Sequence, residues 1–179
     1  MNRKVVVDVD GVLADFEWAF CQTFGNERRE LVSLQSRYPA HARKITEFIN
    51  DGHVYRDLEP IRFGLEICEW LNAGGFEVAI VTARPFGFES ITRDWLKRYG
   101  IEYMTFVSDV SKTGRIALMK PLVAIDDLFS VQKALLWHNI PTIIVAQPWN
   151  AYSAENMRRV SNLSEFIASF EDVLASSAK

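Results

Sequence analysis

The apolar residues of this chain gather into five short runs, apolar at nearly every position: Val5–Val9, Val78–Val81, Met104–Val107, Leu122–Ile125 and Thr142–Ala146. Strands covered on both faces inside a parallel sheet read this way, whereas half-exposed strands alternate. Between the runs the apolar spacing changes to three and four. Phe63–Asn72, Glu89–Arg98, Lys112–Met119 and Phe129–His138 follow it, with Leu65, Cys68 and Leu71 in the first and Ile91 and Trp95 in the second. Gly74 and Gly100 stand where helix C-caps belong. Strand–helix alternation of this kind predicts a three-layer, Rossmann-like α/β fold with a parallel sheet. Ligands of such folds bind beyond the carboxyl ends of the strands.

One stretch breaks the rhythm. Residues 16–60 carry no strand pattern, but Phe16, Phe20 and Phe24 recur at four-residue spacing and end at Gly25. Leu31 and Leu34 suit a second helix, and Ile45, Phe48 and Ile49 a third. A connection this long is rarely bare loop. We read residues 16–60 as a small helical cap inserted after the first strand, on a core formed by residues 1–15 and 61–179. Such a cap would exclude water and recognise a leaving group; the plainer alternative is a helical excursion without a role. From Tyr152 the pattern predicts one or two amphipathic helices. Leu163, Phe166, Ile167, Phe170, Val173 and Leu174 form a stripe toward the sheet, and the tail Ser176–Lys179 reads as loose.

Composition narrows the partners. The 179 residues are 49% hydrophobic, ample for a core, and the net charge of −3 gives no basic field for stable binding of a long nucleic acid. A small nucleotide needs only local positive groups. No apolar run is long enough to span a membrane, and a strand begins almost at the first residue, which argues against a secretory signal. Cys21 and Cys68 fall on separate predicted helices as small core residues, which points to a reducing, cytoplasmic setting.

The chemistry collects at predicted strand ends. After Val5–Val7 come Asp8 and Asp10, two residues apart, then Gly11 for a sharp turn, then Asp15. So much acid at a strand end calls for a positive partner, and Mg²⁺, a hard ion that takes oxygen ligands, is the natural one. After the second strand, Thr82 and the backbone of Ala83 could bind phosphate oxygens, and Arg84 could fork onto phosphate or form a surface ion pair. Lys112 is the first candidate for a fixed cation and Lys120 the second. Asp126 and Asp127 follow the fourth strand directly, where one of them could also cap the next helix. Among aromatics, Phe16 is the first candidate for a substrate wall, followed by Trp18 and Phe20, with Tyr38 and Tyr55 weaker. His41, His53 and His138 sit in no motif.

The ordered set Asp8-x-Asp10-Gly11-x-x-x-Asp15, then apolar–Thr82, then Lys112, then Asp126-Asp127 resembles the four motifs of the haloacid-dehalogenase-like (HAD) phosphohydrolase superfamily, over nearly the whole chain to about Asn150. Within it, Asp10–Phe16, Asp57-Leu58-Glu59-Pro60-Ile61 and Pro148-Trp149-Asn150 are similar to the 5′(3′)-deoxyribonucleotidase family. The chain departs from the animal members in reading Thr82-Ala83-Arg84 where they have Thr-Ser, and in its shorter cap. The resemblance implies a Mg²⁺-dependent phosphatase for a small phosphorylated substrate, a nucleoside monophosphate. Asp8 would be the nucleophile and form an aspartyl-phosphate, and Asp10 the general acid and base, its pKa raised by neighbouring acids. Metal would be held by Asp8, the main-chain oxygen of Asp10 and Asp127, with Asp126 orienting a water or the lysine. A homodimer fits the resemblance. Two other readings stay open: a phosphatase for polynucleotide ends or other metabolites, and a phospho-accepting receiver domain with Asp57 as acceptor.

Overall fold

The strand that carries the first acidic motif, β1 (Lys4–Val7), lies in the middle of a six-stranded, all-parallel sheet. The structure is a computed structural model that describes residues 3–25, 38–151 and 158–177. The sheet comprises β1, β2 (Glu77–Thr82), β3 (Thr105–Ser108), β4 (Val123–Asp126), β5 (Thr142–Val145) and β6 (Arg158–Val160), in the order β3-β2-β1-β4-β5-β6. Val5 is registered with Val78 on one side and Val123 on the other. The order reverses at β1, so the crevice beyond β1 and β4 is where this topology exposes its strand ends to a ligand.

Alternate residues of β1 feed two cores, as the two-residue period of a strand requires. Val5 and Val7 pack with Ile67, Cys68 and Leu71 of α3 (Arg62–Ala73), Trp95 and Leu96 of α4 (Glu89–Arg98), and Phe166, Phe170 and Val173 of α7 (Leu163–Ser177). Val6 packs with Ile116 of α5 (Lys112–Met119) and Val131 and Leu135 of α6 (Phe129–Leu136). Burial of each such aliphatic side chain contributes about 1.5–3 kcal/mol. Both layers of helix and the sheet between them match the three-layer expectation.

The segment after β1 forms a cluster of its own. Phe20 and Cys21 of α1 (Phe16–Phe24), Tyr38, and Ile45 and Phe48 of α2 (Ala42–Ile49) are buried together. Asp15 starts α1, its Oδ1 accepting the Trp18 amide at 3.1 Å, and Gly25 ends it at φ +65°. Phe16 bridges outward, edge-on to Phe48 at 5.2 Å and stacked on Tyr55 at 5.8 Å. The predicted helix around Leu31 and Leu34 lies outside the described residues.

Two expectations at the C-terminus change. Arg158–Val160 is a short edge strand, not helix. Two arginines in three residues hide the strand pattern, and charge on an edge is how sheets avoid further pairing. Tyr152 lies outside the described residues. The helix starts at Leu163 and keeps Ser176 and Ser177 within it, in place of the expected loose tail, and residues 178–179 lie outside the described residues. The helix α6 also ends at Leu136, two residues before the predicted end at His138.

Candidate active site

A cleft of about 380 Å³ opens at the carboxyl edge of the sheet, lined by Asp8, Asp10, Thr82, Ala83, Arg84, Lys112 and Asp127 on the sheet side. Phe16, Glu17, Ile49 and Tyr55 line the other side. The parts come from strand ends and one helix start. Asp8 follows β1, Thr82 closes β2, Lys112 opens α5, and Asp126 closes β4. A tight turn after Asp8 presents Asp10 and Gly11, closed by the Gly11 amide on Ala14 O at 2.9 Å and the Ala14 amide on Val9 O at 2.8 Å.

Lys112 joins the acids. Its buried Nζ donates to Asp8 Oδ2 and to Asp126 Oδ2, the latter at 2.8 Å. Asp126 Oδ1 accepts the Leu128 amide at 2.9 Å. Asp127 Oδ2 accepts the indole Nε1–H of Trp149 at 2.7 Å. Asp8, Asp126 and Asp127, all buried, each offer a carboxylate oxygen within 4.8 Å of the others. Burial, and after it the charge of Asp126, push the Asp8 carboxyl up to about 7 despite Lys112. Burial, then Asp126 and Asp8, also raise Asp127 well above the usual carboxylate range. Burial works against the Lys112 ammonium, but Asp126 and Asp8 more than offset it and its pKa rises. Three carboxylates face one ammonium in a buried space. That imbalance, with an all-oxygen donor set, suits a hard divalent cation.

Gly11 makes the close approach possible. At φ +84°, a Cβ there would stand 2.5 Å from Asp127 Cγ. Gly11→Ala is therefore expected to cost about 1–3 kcal/mol and to lower turnover by displacing Asp127. Gly25→Ala, at φ +65° with nothing within 4 Å of its Cβ, should cost about 1–2 kcal/mol and leave turnover unchanged. Denaturant midpoints and phosphate release on the two variants check both parts.

A comparison of the chain with family models places residues 2–172 in one described as 5′ nucleotidase, deoxy (pyrimidine), cytosolic type C protein, NT5C. The chain belongs to the NT5C family. It is accordingly a HAD-type phosphatase of the nucleotidase kind. Solved structures agree on the fold. A phosphonoacetaldehyde hydrolase-like protein from Oleispira antarctica superposes with TM-score 0.62 at 14% identity, covering 96% of this chain and 92% of that one. CbbY from Rhodobacter sphaeroides, in complex with phosphate, gives 0.57 at 12% over 90% and 94%. A HAD-superfamily hydrolase from Ehrlichia chaffeensis gives 0.52 at 11% over 97% and 98%. No curated protein matches by sequence. Among the described residues, no helix is long and apolar enough to cross a membrane.

In this NT5C-family chain, Lys112 rather than Lys120 reaches the acids. Lys120 is exposed at the left-handed C-cap of α5. Thr82 is buried and its Oγ1 accepts the Arg84 amide at 3.3 Å. Neither Asp126 nor Asp127 is the N-cap of α6, a place taken by Leu128. Arg84 lines the cleft but makes no surface ion pair. Its buried guanidinium forks onto Asp10, Nε to Oδ2 at 2.9 Å and Nη2 to Oδ1 at 2.7 Å. Its Nη1 donates to Thr92 Oγ1 at 3.1 Å, and its plane lies 4.5 Å from the Tyr55 ring centre. Asp10, expected to be crowded by acids, thus has a cation as its immediate partner.

Of the aromatic candidates, Phe16 and the lower-ranked Tyr55 line the cleft, and Trp18, Phe20 and Tyr38 do not. Phe20, fully buried, packs on Phe24, Tyr38 and Phe48. Trp18, 44% exposed, points elsewhere. Asp57 is exposed and sits 3.8 Å from Arg98, away from the cleft, which leaves the receiver reading without its acceptor. Among the lining residues, the sequence ranked Tyr55 too low and gave no site role to Glu17 or Trp149. Tyr55 ranked low because a lone aromatic carries no spacing signal. Glu17, buried and accepting from Tyr38 Oη at 2.9 Å, reads in sequence as an ordinary acid of a first helical turn. Trp149 carried a family likeness but no hint that it would hold Asp127.

Proposed function

We propose that this chain hydrolyses nucleoside monophosphates, deoxyribonucleotides foremost, through a phosphorylated Asp8. The observation that carries the reading is the cleft itself. A buried carboxylate fixed by Lys112 forms its base, while Phe16 and Tyr55 offer an aromatic wall for a base or sugar. Family membership and the phosphate chemistry of the four motifs support it.

An Asp8 oxygen attacks phosphorus in line as the P–O ester bond breaks. Asp10 delivers a proton to the leaving alkoxide. A water then attacks the phosphoryl-aspartate, its proton passes to Asp10, and the P–O bond to Asp8 breaks, releasing phosphate and restoring both acids. Before that first proton is given, Asp10 must loosen at least one arm of the Arg84 fork. Lys112 and the Thr82 hydroxyl face the transferred phosphoryl oxygens and stabilise their charge. Asp8, Asp127 and the main-chain oxygen of Asp10 would hold Mg²⁺, which neutralises charge on the phosphoryl group. Asp126, bonded to Lys112, orients the lysine. Phe16, Glu17, Ile49 and Tyr55 of the cap line the cleft and would exclude water from it. The cytosolic label of the family fits a cytoplasmic enzyme.

A phosphate-release screen over ribo- and deoxyribonucleoside 5′- and 3′-monophosphates, with sugar phosphates alongside, tests this. Nucleotides should lead. Phe16→Ala should raise KM for the best nucleotide about tenfold or more, the worth of one stacked base, and change KM for an aryl phosphate little. Preference for sugar phosphates, or equal effects on both KM values, would refute the reading.

A further inference from the structure

Each of the three buried carboxylates has at least one oxygen already held by a donor of the chain. Asp8 Oδ2 accepts from Lys112 Nζ. Asp126 Oδ1 accepts from the Leu128 amide and Oδ2 from Lys112. Asp127 Oδ2 accepts from Trp149 Nε1. A hydrogen-bonded oxygen keeps a second lone pair, but the donor competes with a cation for it and narrows the approach. Asp8 and Asp127 therefore offer a metal their unheld oxygen first, and Asp126, with both oxygens held, is the poorest ligand of the three. The distinction matters because Ca²⁺ takes six to eight oxygens and readily chelates carboxylates through both, whereas Mg²⁺ demands six in a near-octahedral shell and keeps waters.

The donors differ in how firmly they hold. Lys112 is a four-carbon chain whose ammonium can rotate. The Trp149 indole cannot offer its N–H elsewhere without moving the whole ring, which is 9% exposed. The turn that carries it, Pro148–Asn150, is tied at several points. Gln147 Nε2 donates to Gly11 O at 2.7 Å, and Asn150 Nδ2 donates to Asp127 O and Val145 O, both at 2.8 Å. The Asp127 carboxyl group also lies close against Gly11, where an added Cβ would stand 2.5 Å from its Cγ. The carboxylate is wedged, with one oxygen assigned.

We infer that Trp149 sets the ion selectivity of this site: its indole N–H biases Asp127 toward a single ligand oxygen and so favours Mg²⁺ over Ca²⁺. The inference rests on the proposed role of Asp8 and Asp127 as metal ligands. Trp149 acts through Asp127 and is a positioning residue.

Calorimetric titration of the whole protein with Mg²⁺ and, separately, with Ca²⁺ tests it, on the wild type, Trp149→Phe and Asp127→Asn. Phenylalanine keeps an aromatic ring and removes the donor. The preference for Mg²⁺ over Ca²⁺, taken as the ratio of the two dissociation constants, should fall about tenfold or more in Trp149→Phe. If that variant does not fold, the benzothienyl analogue of tryptophan at position 149, with sulfur in place of N–H, gives the same comparison at constant shape. An unchanged ratio in a folded variant that binds both ions overturns the inference and leaves the proposed function standing. Failure of the wild type to bind either ion, or wild-type binding in Asp127→Asn, overturns the metal-ligand reading beneath it.

Discussion

Asp8→Asn loses turnover by roughly three orders of magnitude or more and, freed of metal, becomes more stable than the wild type above pH 7. The first effect follows from chemistry, since an amide cannot serve as the attacking oxygen. The second follows from burial. The Asp8 carboxyl is pushed from its ordinary 3.8 up to about 7, so the folded protein holds that proton more tightly than the unfolded chain. Its stabilising contribution is full below the unfolded value and is lost as pH rises through the folded one. The melting temperature of the wild type in a chelator should therefore fall between pH 5 and pH 8. Asparagine has no proton to lose, so the part of the slope due to Asp8 disappears, and the raised Asp127 keeps its own. Lys112 still has Asp126 at 2.8 Å. Melting curves at both pH values, beside phosphate release with Mg²⁺, check the pair of effects. Wild-type turnover, or an Asn variant less stable at pH 8, would contradict this account of Asp8.

What the sequence made legible was whatever its local pattern encodes. The helices α4 and α5 run over the residues their spacing predicts, Glu89–Arg98 and Lys112–Met119. Each acidic pair was visible because it interrupts or ends an apolar strand, where polar residues stand out. Contacts set by topology were not. Arg84 and Asp10 are 74 residues apart, and only the pairing of β1 with β2 brings their strand ends together. Trp149 and Asp127 likewise meet because β4 lies beside β5. Phe20 and Phe16 share one helical face in the sequence. The packing of α1 decides which of them meets the cleft and which is buried in the small core with Cys21, Tyr38, Ile45 and Phe48, and four-residue spacing does not contain that information. The edge strand β6 was hidden by its arginines.

Lys112→Met should damage both fold and catalysis, for a single electrostatic reason. The methionine fills much of the lysine's volume but leaves Asp8, Asp126 and Asp127 buried without a cation. Breaking a buried ion pair on one side costs about 3–5 kcal/mol, and here one ammonium serves two acids. The loss in a chelator should be largest near pH 8, where the wild-type pair is ionised and the variant must either bury bare charge or take up protons. Near pH 5 the acids of the variant take up protons readily, and the gap to the wild type narrows. Mg²⁺ would restore part of the stability, because it supplies positive charge to the same oxygens. It should not restore turnover, which falls about a hundredfold or more for want of the cation that faces the phosphoryl oxygens. Urea unfolding at the two pH values, with and without Mg²⁺, measures the first part, and the turnover number at saturating metal measures the second. A variant equally stable at both pH values, or one whose turnover returns with excess Mg²⁺, would mean that the lysine serves only as a counter-ion the metal can replace.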